Sequence, residues 1–322
     1  MKMPFMLAPM AELSHRALRE LVEGFGGCDE YFTEMISAPA LLAGGPFEKW
    51  YLDGGPRPEK LVYQLVGADS GHIAGAAALL DRLECRGIDL NMGCCAPLIR
   101  KTGGGIAWMA SIDRAGELVK QVRQAVKRRL SVKIRIGLTD DFAYLVNFCR
   151  RLEAEGVELI TLHPRTAREK LKRLARWDYV GALRQELRIR VAGNGDVADA
   201  EGLMGRAAGP CDGVMVGRAA VRQPWIFAQA RGQENKPRSF TEGEKVPGTV
   251  IEETGLRFLE LLGQWQPPEF HVSRARRFFG FFCDNLKWGN YLKNLLNRQE
   301  TLSGMEGAWR DYFQQATDQG PA

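Results

Sequence analysis

Eight short apolar runs punctuate the first two thirds of the chain: PFMLA (4–8), EYFT (30–33), LVYQL (61–65), GIDLN (87–91), SVKIR (131–135), LITLH (159–163), RIRVAG (188–193) and GVMVG (213–217). Each has the length of a strand, and most carry the β-branched or aromatic residues that suit extended backbone. Between the runs, apolar residues recur with the helical period over 17–22, 73–83, 115–126, 142–154 and 178–187. Strands alternating with helices, the strands apolar on both faces, predict a parallel sheet covered by helices. Eight such units point to an α/β fold of the closed (β/α)8 TIM-barrel type rather than an open doubly wound sheet. A dinucleotide-binding open sheet would also want GxGxxG after its first strand, and Pro9, Met10 and Ala11 stand there instead.

Beyond Phe227 the pattern changes. Residues 231–248 are polar and rich in Gly and Pro, the composition of a linker. From Thr249 onward the segments are helical and aromatic, and predict three or four helices. The expected organisation is a catalytic barrel over 1–235 and a C-terminal helical domain over 236–322.

Composition narrows the picture. A length of 322 residues suits one barrel of about 250 residues with a smaller appendage. No apolar stretch approaches the ~20 residues of a membrane span, and the apolar run at the N-terminus is too short for a signal peptide. These features predict a soluble cytoplasmic protein without membrane contact. Seven cysteines with no CxxC pair, beside four histidines, predict neither a disulfide framework nor a metal site. The net charge of +5 is modest, but its distribution is uneven. From His271 to Arg298 the chain carries Arg274, Arg276, Arg277, Lys287, Lys293 and Arg298 against Asp284 alone. Such a basic face fits nucleic acid better than a small neutral substrate.

In a barrel of this kind the chemistry sits where the strands finish. The residues at those ends are polar or conformationally special: Pro9 and Met10, Thr33 and Glu34, Gln64, Asn91 to Cys95, Lys133 and Arg135, His163 and Arg165, Asn194 to Asp196, Gly217 and Arg218. Phosphate groups are commonly held after strands 7 and 8 of such barrels. There Gly193-Asn194-Gly195 lets backbone approach a ligand, and Gly217-Arg218 adds a guanidinium. Lys133 either points into the barrel toward an anionic partner or snorkels outward. Gln64 either bonds the edge of a ligand ring or simply fills a strand corner. His163 is either a structural histidine or, with Arg165 beside it, a ligand contact. In NMGCCAPLIRKTGGG (91–105), a cysteine on a turn above the mouth is a nucleophile, an acid, a redox thiol or a small buried hydrophobe. The glycines at 103–105 predict a mobile loop able to close over substrate.

With these residues in place, the chain resembles the tRNA-dihydrouridine synthases. LAPM (7–10), YFTEM (31–35), DLNMGC (89–94), VKIRIG (132–137), HPRT (163–166), AGNGDV (192–197) and VMVGR (214–218) with PWIF (224–227) match that family's motifs in order and spacing. The C-terminal helices resemble its tRNA-binding domain more loosely. The resemblance implies FMN held by Pro9, Met10, Ala11, Gln64, Lys133, His163, Asn194, Gly195, Asp196, Gly217 and Arg218. It implies Cys94 as the catalytic acid and Asn91 as a contact to the uracil, with NADPH as reductant. In that chemistry a hydride passes from the flavin to carbon 6 of uracil and the cysteine protonates carbon 5. Arg165, Arg274, Arg276 and Arg277 are the further residues expected to contact a tRNA, and no obligate protein partner is expected.

Three positions depart from the family pattern. Cys95 stands where proline is usual, Pro164 where glycine is usual, and the glycines at 103–105 imply a looser catalytic loop. A small-molecule FMN reductase of the dihydroorotate or enoate type, and an RNA-binding paralogue without turnover, are the alternative readings. The basic helices argue against the first, and Cys94 with Lys133 against the second.

Overall fold

The computed structural model describes residues 3–232 and 246–318. All eight apolar runs are strands: β1 (Phe5–Leu7), β2 (Glu30–Ser37), β3 (Leu61–Val66), β4 (Gly87–Met92), β5 (Arg129–Gly137), β6 (Leu159–Thr166), β7 (Arg190–Asn194) and β8 (Val214–Val216). They pair in parallel, each with its sequence neighbour, and β1 pairs with β8 to close the barrel. Helices fill the connections, among them Arg16–Gly24, Ser70–Leu80, Ile112–Ala125, Phe142–Ala154 and Trp177–Glu186. Two of these start three residues before the first apolar position of their pattern, because Asp69 and Ser111 cap them by accepting a first-turn N–H.

The barrel interior changes character along its axis. Met6, Phe32, Val62, Leu159, Ala192 and Met215 form an apolar cluster inside it. Further along the same strands the inward positions turn polar, with Gln64, Lys133, Thr161 and Asn194 two residues past Val62, Ser131, Leu159 and Ala192. A barrel held only by packing would repeat branched apolar residues in these layers. β2 and β6 both run further than the apolar pattern indicates. β2 shifts register between Phe32 and Met35, so Thr33 and Glu34 lie on an irregularity inside the strand and not after it. His163 and Arg165 likewise sit within β6.

Four helices follow the barrel, at Gly248–Trp265, Pro268–Phe282, Gly289–Asn297 and Leu302–Asp318. Their core is aromatic: Phe258 stacks on Phe278 with centroids 3.7 Å apart, and Phe279 packs on Trp309. Gly255 is required there, since a Cβ would lie 2.4 Å from the Trp309 ring. The helices seat on the barrel through His15 against Phe258 and through Arg16 over Trp265. The expected boundary at 235/236 and most of the linker fall outside the described residues.

Candidate active site at the barrel mouth

Asn91, near the end of β4, builds the turn that carries the cysteines. Its Oδ1 accepts from the backbone N–H of Gly93 at 3.2 Å and of Cys94 at 2.9 Å. Gly93 lies so close to β5 that a Cβ would stand 3.1 Å from the Ile134 carbonyl carbon. The glycines that follow lie packed on the turn. Gly105 has φ +57°, and a Cβ there would approach the Cys94 carbonyl oxygen to 2.5 Å. The N–H of Ile106 donates to that same oxygen at 2.9 Å. The glycines therefore let residues 103–106 pack down on the turn, and Gly105, Ile106, Trp108 and Met109 are buried.

A cavity of about 180 Å³ opens beside this turn, lined by Pro9, Ala11, Met35, Asn91, Gly93, Cys94, Lys133, Arg135 and His163. Cys94 faces it, whereas Cys95 packs against the apolar core. Burial pushes the Cys94 thiol up from its ordinary range, so the group holds its proton at neutral pH. That is the state a proton donor needs.

Lys133 points inward and its Nζ donates to Asn194 Oδ1 at 2.9 Å. Burial, and then Arg135, push its ammonium down to about 8. Asn194 also donates through Nδ2 to the Met215 carbonyl, which ties β7 to β8. His163 lies beside them, its Nε2 2.7 Å from Arg165 Nη1. A guanidinium can only donate, so Nε2 is the acceptor. Burial and the Lys133 charge hold the ring neutral. Arg165 itself is 2% exposed, and its other N–H groups reach Asp196 Oδ1 and the Arg173 carbonyl. Arg165, expected to contact substrate, is enclosed behind His163 and braces the loop.

The end of β7 is shaped by tight approaches. Gly195 has φ +121°, with His163 and Arg165 atoms within 3.2 Å of where a Cβ would be. A Cβ on Gly193 would run into the Trp177 ring at 2.1 Å. Asp196 follows at φ +53°, held in that left-handed conformation by Arg165 and by the N–H of Ala175. Gly217 closes β8, with Met10 Sδ 3.4 Å from a Cβ built there, and Arg218 beside it is exposed.

Six of the expected residues thus share one cavity: Pro9, Ala11, Asn91, Cys94, Lys133 and His163. Gln64 lies buried beneath, bonded to Asp89 and Asn91. Pro164 stays in β6 and accepts the Arg176 N–H on its carbonyl. The arginines of the helical region do not act as one group. Arg274 is 3% exposed, and donates to Glu34 Oε2 at 2.8 Å and to Gln266 Oε1 at 2.5 Å. Expected to contact RNA, Arg274 instead has its charge buried where helix Pro268–Phe282 meets the barrel. Arg276 bonds the Gln299 carbonyl, and Arg277 stays exposed.

Three features were given no role from the sequence. Asp89 is fully buried, and burial pushes its carboxyl up to about 6. Arg135 lines the cavity and reaches the carbonyls of Gly93, Thr166 and Lys170. The β6 loop exposes Arg168, Lys170, Lys172 and Arg173 together with Leu171 and Leu174, the leucines 50% and 83% exposed. An acid inside the run GIDLN, and a basic run AREKLKRLAR after a strand, are the sequence signals that mark the first and third.

The chain matches the family profile described as Dihydrouridine synthase (Dus) over residues 6–319. It is 33% identical over 231 residues to a probable tRNA-dihydrouridine synthase of Aquifex aeolicus, covering 69% of this chain and 71% of that one. It is 30% identical over 261 residues to the tRNA-dihydrouridine(16) synthase of Ralstonia nicotianae, covering 77% and 78%. A Mycobacterium leprae relative, a probable tRNA-dihydrouridine synthase, is 30% identical and covers 94% of this chain and 86% of its own length. Among solved structures, a 2-naphthoyl-CoA reductase complex superposes with a TM-score of 0.55 at 11% identity, over 71% of this chain and 50% of that chain, a likeness of fold alone. A family match over nearly the whole chain, on a closed eight-strand barrel, leads to one assignment: the chain belongs to the dihydrouridine synthase family.

Proposed function

We propose that the protein reduces a uridine in tRNA to 5,6-dihydrouridine, with FMN as the bound cofactor, NADPH as reductant and Cys94 as the general acid. The observation that carries this reading is the Cys94 thiol, its pKa pushed up by burial, facing the same small cavity as Lys133, Asn91 and His163. FMN supplies hydride transfer when bound. The chain's residues fit it on two counts. The backbone at Gly195 and Gly217 is bare where side chains would crowd a phosphate, with Arg218 exposed alongside. Lys133 brings a desolvated ammonium into the mouth, bonded to Asn194 and sharing the cavity with Pro9, Ala11 and His163; Met10, Gln64 and Asp196 are the further residues we assign to the cofactor. Lys133 stabilises negative charge on an electron-rich ring, and Cys94 delivers a proton to carbon 5 of the uracil once carbon 6 has been reduced. Asn91 retains one amide N–H for the base, because its other N–H goes to Gln64.

The charge needed to hold RNA lies in two places. Arg276 and Arg277 remain on the helical region, and the β6 loop exposes four cations, its Lys170 carbonyl bonded to the cavity-lining Arg135. In this reading residues 1–235 are the catalytic barrel, 236–322 the RNA-binding domain, and the enzyme works in the cytoplasm on tRNA. Two relatives named for position 16, from Ralstonia nicotianae and Cupriavidus necator, make uridine 16 the first position to map.

Arg218→Ala should retain less flavin after dialysis, because a charge-assisted phosphate contact is lost. Unchanged flavin absorbance per protein would place the phosphate elsewhere. Replacing Lys170, Lys172 and Arg173 by Gln should lower the slope of log affinity for tRNA against log salt by roughly two units, for three released counterions. The same slope in variant and parent would remove the β6 loop from the RNA path. The function itself is tested by nucleoside mass spectrometry of tRNA from a deletion strain. One dihydrouridine should disappear and return with the plasmid-borne gene. A full complement of dihydrouridine in the deletion strain would refute it.

A further inference from the structure

Asp89 is a carboxylate with no solvent exposure at an inward position of the barrel. Burying an ionised carboxylate is costly unless its oxygens are bonded. Here both are used. Oδ1 accepts from Ser131 Oγ at 2.6 Å, and Oδ2 accepts from Gln64 Nε2 at 2.7 Å. Gln64 Oε1 in turn accepts from Asn91 Nδ2 at 2.9 Å, and Asn91 Oδ1 accepts from the N–H groups of Gly93 and Cys94. The two amides form an unbroken chain from the buried carboxylate to the cysteine turn.

We propose that Asp89 is a positioning residue: by fixing the direction of the hydrogen-bond chain through Gln64 and Asn91, it holds the Cys94 turn and so aims the Cys94 thiol into the cavity. The importance of that aim for turnover rests on the function proposed above; the geometry does not. A side-chain amide can rotate by 180° and exchange its donor and acceptor with little change of shape. Two amides in series therefore have two senses. In one sense Asn91 offers oxygen to the turn. In the other it offers an NH₂ group to two backbone N–H donors, and the turn loses both bonds. An ionised carboxylate can only accept, so it forces Gln64 to present nitrogen downward and oxygen upward, and Asn91 follows. Ser131 supplies the bond that keeps Asp89 in place, and the positive charges of Lys133 and Arg129 favour its ionised form.

Asp89→Asn keeps the shape and removes the constraint, because an amide at 89 can meet Gln64 in either sense. The turn should then loosen. Three measurements on the flavin-loaded protein separate this from a general structural loss. NADPH reduction of the flavin and the tRNA dissociation constant should stay within about twofold of the parent, while single-turnover reoxidation by tRNA slows about 10- to 100-fold, the scale of a misplaced reacting group. Alkylation of Cys94 by iodoacetamide, followed on its own peptide by mass spectrometry, should become several times faster. In the double variant Asp89→Asn/Gln64→Glu an acceptor-only group again faces Asn91, now one link nearer the turn, and the alkylation rate should return to that of the parent. Parental rates of reoxidation and alkylation in Asp89→Asn would overturn the proposal, as would fast alkylation in the double variant. If Asp89→Asn does not fold, the double variant's alkylation rate decides alone. If the parent fails to reduce tRNA, the proposed function falls, and the alkylation comparison still decides on the chain of bonds.

Discussion

Cys94→Ala is expected to slow uridine reduction by about two orders of magnitude or more, the scale of a lost general acid, while NADPH still reduces the flavin. The argument is local. Asn91 fixes the turn, Gly93 and Gly105 let it pack, and the thiol faces the cavity with its proton held by burial. Reduction at carbon 6 leaves negative charge that only a nearby acid quenches quickly, and Cys94 is the cavity-lining thiol. Cys95→Ala should keep most activity, because Cys95 packs against the core instead. Cys95→Pro, which stiffens the turn, should do no worse. The pH profile carries the same signature. A thiol pushed up from its ordinary range stays protonated through neutral pH, so the reoxidation rate should first fall as Lys133 loses its charge at about 8, and fall again in stronger alkali as Cys94 loses its proton. The test is single-turnover reoxidation of pre-reduced enzyme by tRNA, the variants in parallel. An inactive Cys95→Ala beside an active Cys94→Ala would shift the acid by one residue.

The second large effect is on stability. Arg274→Ala should cost about 3 kcal/mol or more, because it leaves the Glu34 carboxylate buried without its cation. Glu34 is 5% exposed and also accepts the backbone N–H of Glu12 at 2.6 Å, so it cannot turn out to water without releasing the loop after β1. Burial already pushes its carboxyl up, with Arg274 opposing. Removing Arg274 raises it further. A carboxyl whose folded pKa lies above its unfolded value takes up a proton on folding in the interval between the two, so stability rises as pH falls through the folded value. The deficit of Arg274→Ala should therefore shrink in mild acid. The double variant Glu34→Gln/Arg274→Met, with no charge to bury, should recover most of the loss. Urea unfolding at two pH values measures all of this. A loss under about 1 kcal/mol for the single variant would mean that Glu34 finds water or another partner.

The barrel was legible because eight apolar runs at regular spacing leave few alternatives, and the cavity residues because they follow those runs closely. What escaped were properties that depend on the partner across space. Arg274 is one of several arginines in a basic stretch, and only the fold shows that Glu34, 240 residues away, meets it. Arg165 next to His163 reads as a ligand-binding pair, yet its guanidinium lies behind the histidine and clasps Asp196. The triple glycine signals mobility in a sequence; in the structure it marks backbone pressed against the Cys94 carbonyl and against Gly67. Asp89 was hidden in a strand, where an acid looks like a solvated face until the inward parity is known.

The central claim, that this chain reduces tRNA uridine through its own flavin and cysteine, is tested most directly by mixing pre-reduced purified protein with unmodified tRNA. The account predicts reoxidation of the flavin with one dihydrouridine formed per flavin, at a single mapped position. A protein that binds FMN and oxidises NADPH, yet leaves the tRNA's uridines unchanged while its flavin stays reduced, would contradict it.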